Sequence, residues 1–272
     1  MRMTPELRRK IESFVEKEIT AFHTAKAASL AKIDLIKLLS TKNPYLFRAK
    51  NLEVASDLIG SLLDARISSS EEGIFGHFLE ELAIFISSET CSGKKAGIPG
   101  VDIELNRDGI RYLVAVKSGN NWGNQSQHKD LHRNLRAAVM VIKQSGQIGD
   151  IQPTLGICYG NFAKAYKEHY LHVGGKDFWE LISGSQTLYR ELIEPIGYKA
   201  KEHNQSFSDA RAKLTNQLTK EFLEKFSVQG KIDWPKIVDL VSKSKEPRKA
   251  KAKKATAKKA KKRPAKRTRK QS

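Results

Sequence analysis

The chain has 272 residues, enough for one large domain or two small ones, and 49 Lys and Arg against 30 Asp and Glu give a formal net charge of +19. Residues 243–272 carry 16 of those bases against the single acid Glu246, which leaves the preceding 242 residues nearly balanced, at 33 bases to 29 acids. Two cysteines, Cys91 and Cys158, are too few for a disulfide framework or a Cys-only zinc site, and the longest apolar runs, Leu82–Ile86 and Ala137–Ile142, are too short for a bilayer span.

The first 66 residues read as helical. Thr4-Pro5-Glu6 is a helix start, with a hydroxyl cap and Pro at the first position. Ile11, Phe14, Val15, Ile19 and Phe22 follow at helical spacing. A second helix is expected over about Ala25–Leu39, broken by Asn43-Pro44, and a third over Leu52–Ala65. Ser68-Ser69-Ser70-Glu71-Glu72 offers caps for another, Ile74–Ser87.

The period then changes. Ser92–Gly100 is loop chemistry, and Val101-Asp102-Ile103-Glu104-Leu105 alternates as a half-exposed strand does. Asp108-Gly109 signals a hairpin turn into a second strand, Ile110–Lys117. Its near-continuous apolar run, Tyr112–Val116, predicts a strand covered on both faces. Ser118–Ser126 is a polar loop, Gln127–Gln144 an amphipathic helix and Thr154–Tyr159 a buried strand. Residues 176–226 look largely helical, with an interruption at Pro195-Ile196-Gly197. The order is that of an α/β fold with helices on a central sheet. The tail, 243–272, has no aromatic residue and nothing apolar larger than Ala, so it is expected to be disordered alone.

Chemistry concentrates between Gly76 and Gln127. Asp102 and Glu104 leave one face of a strand, Lys117 ends the next strand, and Glu80 and Glu81 lie on the preceding helix. Carboxylates beside a lysine suit metal-dependent phosphodiester cleavage: hard Mg²⁺ takes a few carboxylate oxygens and keeps its waters and the substrate phosphate. A surface cross-strand ion pair is the plainer reading. A lysine closing a strand buried on both faces, next to a Gly/Asn-rich loop, favours a site. His128 and His132, four apart on a helix, are expected to be surface histidines rather than zinc ligands, because Lys129 replaces the Glu of the zinc-protease motif. No Gly-x-Ser-x-Gly elbow or Walker-type phosphate loop occurs.

Gly100-Val101-Asp102, a hairpin and Ala115-Val116-Lys117 resemble the PD-(D/E)XK nuclease signature, and Gly76-His77-Phe78-Leu79-Glu80 resembles the Gly-x-x-x-Glu of the first core helix of many members. More specifically, Phe78–Ala83, the string Val116-Lys117-Ser118-Gly119-Asn120-Asn121-Trp122-Gly123-Asn124 and Phe178–Gly184 resemble type II restriction endonucleases of the PmeII type, over about residues 70–240. The resemblance implies a restriction-endonuclease-like core, a central mixed β-sheet flanked by helices. It implies Asp102 and Glu80 as Mg²⁺ ligands, with Glu81 as the alternative to Glu80, and Lys117 as the catalytic lysine. Gln127 sits where some nucleases of this fold place a helix glutamine near the metal; a helix cap is the competing role. The chain departs from the signature at Ala115, where an acid is expected. Glu80, Glu104 and Asp130 are candidates to replace it.

Three regions are therefore expected: a helical region 1–66, a nuclease core with C-terminal helices 67–242, and a DNA-binding tail 243–272. Ser118, Asn121, Trp122 and Asn124 are candidate DNA contacts in the loop; for Trp122, packing onto the core is the other reading. In the tail, which resembles those of linker histones and bacterial nucleoid proteins, the candidates are Lys253, Lys254, Lys258, Lys259, Lys261, Lys262 and Arg263. The expected partner is double-stranded DNA, with no membrane, a homodimer to match a palindrome and a cognate DNA methyltransferase. The expected location is the cytoplasm, at the nucleoid. The competing function is a non-catalytic nucleoid-associated DNA-binding protein on a degenerate nuclease fold.

Overall fold

The computed structural model describes residues 4–146 and 149–243. The tail beyond Lys243, with its candidate DNA contacts, lies outside the described residues.

Four helices open the chain: α1 (Pro5–Leu30), α2 (Leu35–Ser40), α3 (Pro44–Ala49) and α4 (Ala55–Cys91). The Thr4 hydroxyl accepts from the Leu7 amide at 3.2 Å, as the cap reading predicts. The helix expected over 25–39 is instead divided. α1 runs on to Leu30, and Asp34 caps α2 by accepting from the Lys37 amide. Asn43-Pro44 does more than break a helix, because the Asn43 side chain accepts from the Tyr45 amide and starts α3. The two helices expected over 52–87 are one helix of 37 residues. The serine run does not interrupt it: Ser69 Oγ donates back to the Ala65 carbonyl at 3.0 Å, an i−4 bond compatible with helix. The boundary expected between residues 66 and 67 thus falls inside α4.

A six-stranded sheet follows, in the order β1-β2-β3-β4-β6-β5. Its strands are β1 (Lys94–Lys95), β2 (Ile103–Arg107), β3 (Ile110–Lys117), β4 (Asp150–Ile157), β5 (Ala165–Lys167) and β6 (Tyr170–Gly174), with α5 (Gln125–Gln144) crossing between β3 and β4. β3–β4 and β4–β6 are parallel and the other pairs antiparallel. The β2–β3 turn carries Asp108 at φ 53° and Gly109 at φ 78°, the two left-handed positions of a tight hairpin. Then come α6 (Lys176–Ser183), α7 (Leu188–Glu191), α8 (Ile193–Ile196), α9 (Ala200–Phe226), the hairpin β7 (Ser227–Val228) and β8 (Lys231–Ile232), and α10 (Trp234–Ser242).

The sheet is covered on both faces, as the apolar run of β3 predicts. Val114 and Val116 pack with Ile11, Val15, Leu82, Ile86 and Phe178, from α1, α4 and α6. Leu113 and Ala115 pack with Leu131, Leu135, Ala138 and Ile142 of α5. A third cluster joins α2 and the first half of α4 to Leu218, Phe222 and Phe226 of α9 and Ile237 of α10. The N-terminal region therefore packs into two cores: α1 into that of the sheet, and α2 and α3 with the C-terminal helices. α4 belongs to both.

Gly156 lies in β4 under the Phe178 ring. A Cβ there would stand 2.5 Å from the ring and 3.1 Å from Val114 Cγ1. Gly156→Ala is expected to overpack this face and cost about 1–3 kcal/mol, read as a lowered thermal midpoint.

Candidate active site

The β2–β3 ladder ends at Ile103 opposite Val114. Past that point the Asp102 amide still donates to the Val114 carbonyl at 2.9 Å, and the Asp102 carboxylate accepts from the Val116 amide at 2.6 Å. The aspartate side chain thus takes the place of the next ladder partner. That pins one carboxylate oxygen where β3 ends.

Lys117, the last residue of β3, places Nζ 3.9 Å from that same Asp102 oxygen and donates to the Val116 carbonyl at 2.8 Å. The backbone behind it is fixed, since the Cys158 amide donates to the Lys117 carbonyl at 2.8 Å. Trp179 Nε1 in turn donates to the Cys158 carbonyl at 2.8 Å. The Phe178–Gly184 motif is therefore a brace for the strand ends: Phe178 and Trp179 are buried and Gly184 closes α6 at φ 73°. Burial pushes the Cys158 thiol up to about 12, so it stays protonated and inert.

Glu80, on the second half of α4, reaches the site from the other face of the sheet. Its carboxyl is held above the usual glutamate range, first by burial and then by the negative charge of Asp102, with Lys95 and His77 opposing. Lys95 Nζ lies 3.8 Å from Glu80 and 2.7 Å from Glu81. The Asp102 charge thus reaches Glu80, and the two carboxylates offer oxygen donors of the kind a hard divalent cation takes.

The other acids are engaged elsewhere. Glu81 is taken by Lys95. Glu104 is paired with Arg111 at 2.6 Å, beside Lys94 and Asp150 in a separate cavity. Asp130 is exposed and pairs with Arg133 at 2.8 Å. Ala115 is 1 % exposed beneath α5, which leaves no room there for the missing acid. Gln127 forms a capping box with Asn124: the Gln127 amide donates to Asn124 Oδ1 at 3.1 Å and the Asn124 amide to Gln127 Oε1 at 2.9 Å. Both side chains thus hold the start of α5.

A cleft of about 580 Å³ opens along α4 and the loop after β3, lined by Glu72, Gly76, Glu80, Lys117, Ser118, Asn121, Trp122 and Tyr159 among others. Trp122 serves two surfaces. It packs against the α5 core and the His128 ring at 4.3 Å, and Lys117 Nζ lies 5.7 Å from its ring centroid. Sequence reasoning missed Glu72 and Tyr159. The i, i+4, i+8 spacing of Glu72, Gly76 and Glu80 along α4 would have found the first. Tyr159 is 66 % exposed and lies against Gly119, a contact between distant loops that no local pattern marks.

The raised Glu80 carboxyl has a consequence for stability. It holds its proton more firmly in the folded chain than in the unfolded one, so folding stability falls as pH rises from the ordinary glutamate range through the raised value. In EDTA at neutral pH, Glu80→Gln is therefore expected to melt a few degrees above wild type, measured by calorimetry, with the difference vanishing in acid.

Among the described residues no helix is long and apolar enough to cross a membrane. No curated protein matches the chain. The family model of type II restriction endonuclease EcoO109I matches residues 9–204, from α1 into the first turn of α9, and so spans the sheet, the cleft and every candidate site residue before the tail. The chain therefore belongs to the EcoO109I family of type II restriction endonucleases and is a DNA nuclease of restriction-like type.

Proposed function

We propose that the chain is a Mg²⁺-dependent endonuclease that hydrolyses phosphodiester bonds of double-stranded DNA at the cleft between α4 and the loop after β3. The observation that carries this reading is the Asp102 carboxylate pinned at the end of β3 with Lys117 Nζ 3.9 Å away, and Glu80 near enough to feel the aspartate's charge. Asp102 and Glu80 would hold the metal. When bound, Mg²⁺ would lower the pKa of an attacking water and neutralise charge developing on the phosphate. Lys117 orients that water and adds a fixed positive charge where the pentacovalent phosphate becomes most negative. Asp102 helps to hold the ammonium in place. Ser118 and Asn121 line the same cleft and would hold phosphate oxygens beside the scissile bond. Trp122 braces the loop and would present its ring edge to the duplex.

The Lys-Ser-Gly…Trp-Gly-Asn string supports placement with the PmeII-type enzymes. A palindromic site read by a homodimer, with a methyltransferase protecting the host, accords with that placement. The tail would add non-specific, salt-sensitive affinity, since each neutralised phosphate releases counterions. This localises the enzyme to the nucleoid and supplements a body whose own charge is nearly balanced.

The test is digestion of several unmethylated plasmids by the full chain in Mg²⁺ and in EDTA. Discrete fragments in Mg²⁺ alone support the proposal. No cleavage of any of them, with a salt-sensitive gel shift, would overturn it and favour the DNA-binding protein.

A further inference from the structure

The spacing of His128 and His132 suggests a pair, but the fold separates their surroundings. His128 packs on Trp122, whereas His132 meets Glu168 and His169, the two residues of the turn between β5 and β6. His132 Nδ1 lies 3.4 Å from Glu168 Oε2, and His169 Nδ1 lies 3.8 Å from the same oxygen. One donor atom from each residue falls within 4.8 Å of the others. Tetrahedral Zn²⁺, with bonds of about 2.0–2.1 Å, sets its ligand atoms roughly 3.3–3.4 Å apart, so each imidazole nitrogen already stands within about 0.5 Å of that spacing from the Glu168 oxygen.

A second feature points the same way. His169 Nε2 faces the His132 carbonyl at 3.1 Å. A proton on Nε2 donated to that carbonyl leaves the lone pair on Nδ1, the atom turned toward Glu168. Metal-ligating histidines are held in this manner, by a carbonyl acceptor on the far ring nitrogen. Arg136 Nε donates to the same Nδ1 at 3.2 Å, which agrees with an unprotonated nitrogen there. Arg136 is exposed, so an arriving cation can displace its guanidinium into water. The Tyr170 ring packs edge-on against both imidazoles, at 5.0 and 5.6 Å, and sets their planes. Glu168 sits at φ 48°, the left-handed conformation that turns its carboxylate back toward α5.

We propose that His132, Glu168 and His169 form a binding site for a borderline-soft divalent transition ion of the Zn²⁺ class, separate from the candidate centre of Glu80, Asp102 and Lys117. Two imidazoles and one carboxylate favour such an ion over Mg²⁺, which prefers an all-oxygen shell. The fourth position is left to water. The bound ion would clamp α5, the helix that leaves the Lys117 loop, to the β5–β6 hairpin at the far side of the sheet. Its role is structural.

The test uses the full chain in a His77→Gln/Glu80→Gln/Asp102→Asn background, which removes the proposed Mg²⁺ ligands and breaks up the His77, Glu80 and Glu81 group. The chelator-stripped protein is titrated with Co²⁺, a visible stand-in for Zn²⁺, in excess Mg²⁺. One equivalent should give intense tetrahedral absorption, abolished by one equivalent of Zn²⁺, and Zn²⁺ should raise the thermal midpoint. Adding Glu168→Gln, an exposed residue whose loss leaves the fold intact, should weaken Co²⁺ binding at least about tenfold, and His169→Gln should remove the spectrum. Equal binding by the Glu168→Gln and His169→Gln chains, or no uptake below millimolar Co²⁺, would overturn the proposal.

Discussion

Asp102→Asn is expected to lower Mg²⁺-dependent cleavage by about 10³-fold or more, since the charge stabilisation supplied by a bound metal is worth several kcal/mol and each 1.4 kcal/mol is tenfold in rate. The substitution is mild structurally. Asparagine keeps an oxygen that can accept from the Val116 amide where the carboxylate now does, so the end of the β2–β3 pair should hold. What disappears is the negative charge. With it goes the repulsion that helps to raise the Glu80 carboxyl, which should then titrate closer to the ordinary glutamate range. Single-turnover cleavage and a gel shift, run together, check the prediction: binding retained and cutting lost.

Lys117→Ala should reduce the cleavage rate by about 10²–10³-fold, the usual loss when one preorganised positive or hydrogen-bonding group is removed from a transition state. Its side chain is 34 % exposed and its ion pair with Asp102 is long, at 3.9 Å, so the alanine chain should fold normally. The effect belongs in the chemical step. It should persist at saturating DNA and at high Mg²⁺, whereas a lysine serving only DNA affinity would lose its effect at high enzyme concentration. Lys117→Arg should rescue little, because a planar guanidinium cannot occupy the place of a compact ammonium beside the Val116 carbonyl.

The sheet's centre was legible because local chemistry and burial agree there. The apolar run of β3 is buried on both faces, the Asp108-Gly109 turn takes the left-handed pair it suggested, and α5 carries the expected apolar stripe beginning two residues earlier, at Gln125. The strands β5 and β6 escaped notice. β5 has three residues, with Tyr166 75 % exposed, and β6 is buried along its whole length, so neither shows the alternation that marks a strand. α4 was divided in two because serines usually signal caps, while here Ser69 bonds within the helix and tertiary packing holds both halves.

The site follows the same division. Asp102 and Lys117 could be paired from strand spacing alone. Glu80 comes from the other side of the sheet, and its nearness to Asp102 depends on where α4 packs, which spacing does not encode. Strand spacing put Glu104 on the face of Asp102, yet Arg111, across the hairpin, takes Glu104. Gln127 and Asn124 were candidates for the metal site and for DNA contact, and in the fold their side chains hold one another at the start of α5.

The measurement that bears most directly on this account is Mg²⁺-dependent plasmid cleavage by Glu80→Gln beside Glu81→Gln, Glu104→Gln and Asp130→Asn. The account predicts that Glu80→Gln alone loses cleavage, although it is the more stable protein in EDTA, while the other three cut within a fewfold of wild type. Cleavage by Glu80→Gln at the wild-type rate, or its loss in Glu104→Gln or Asp130→Asn instead, would contradict a centre built on Glu80 and Asp102.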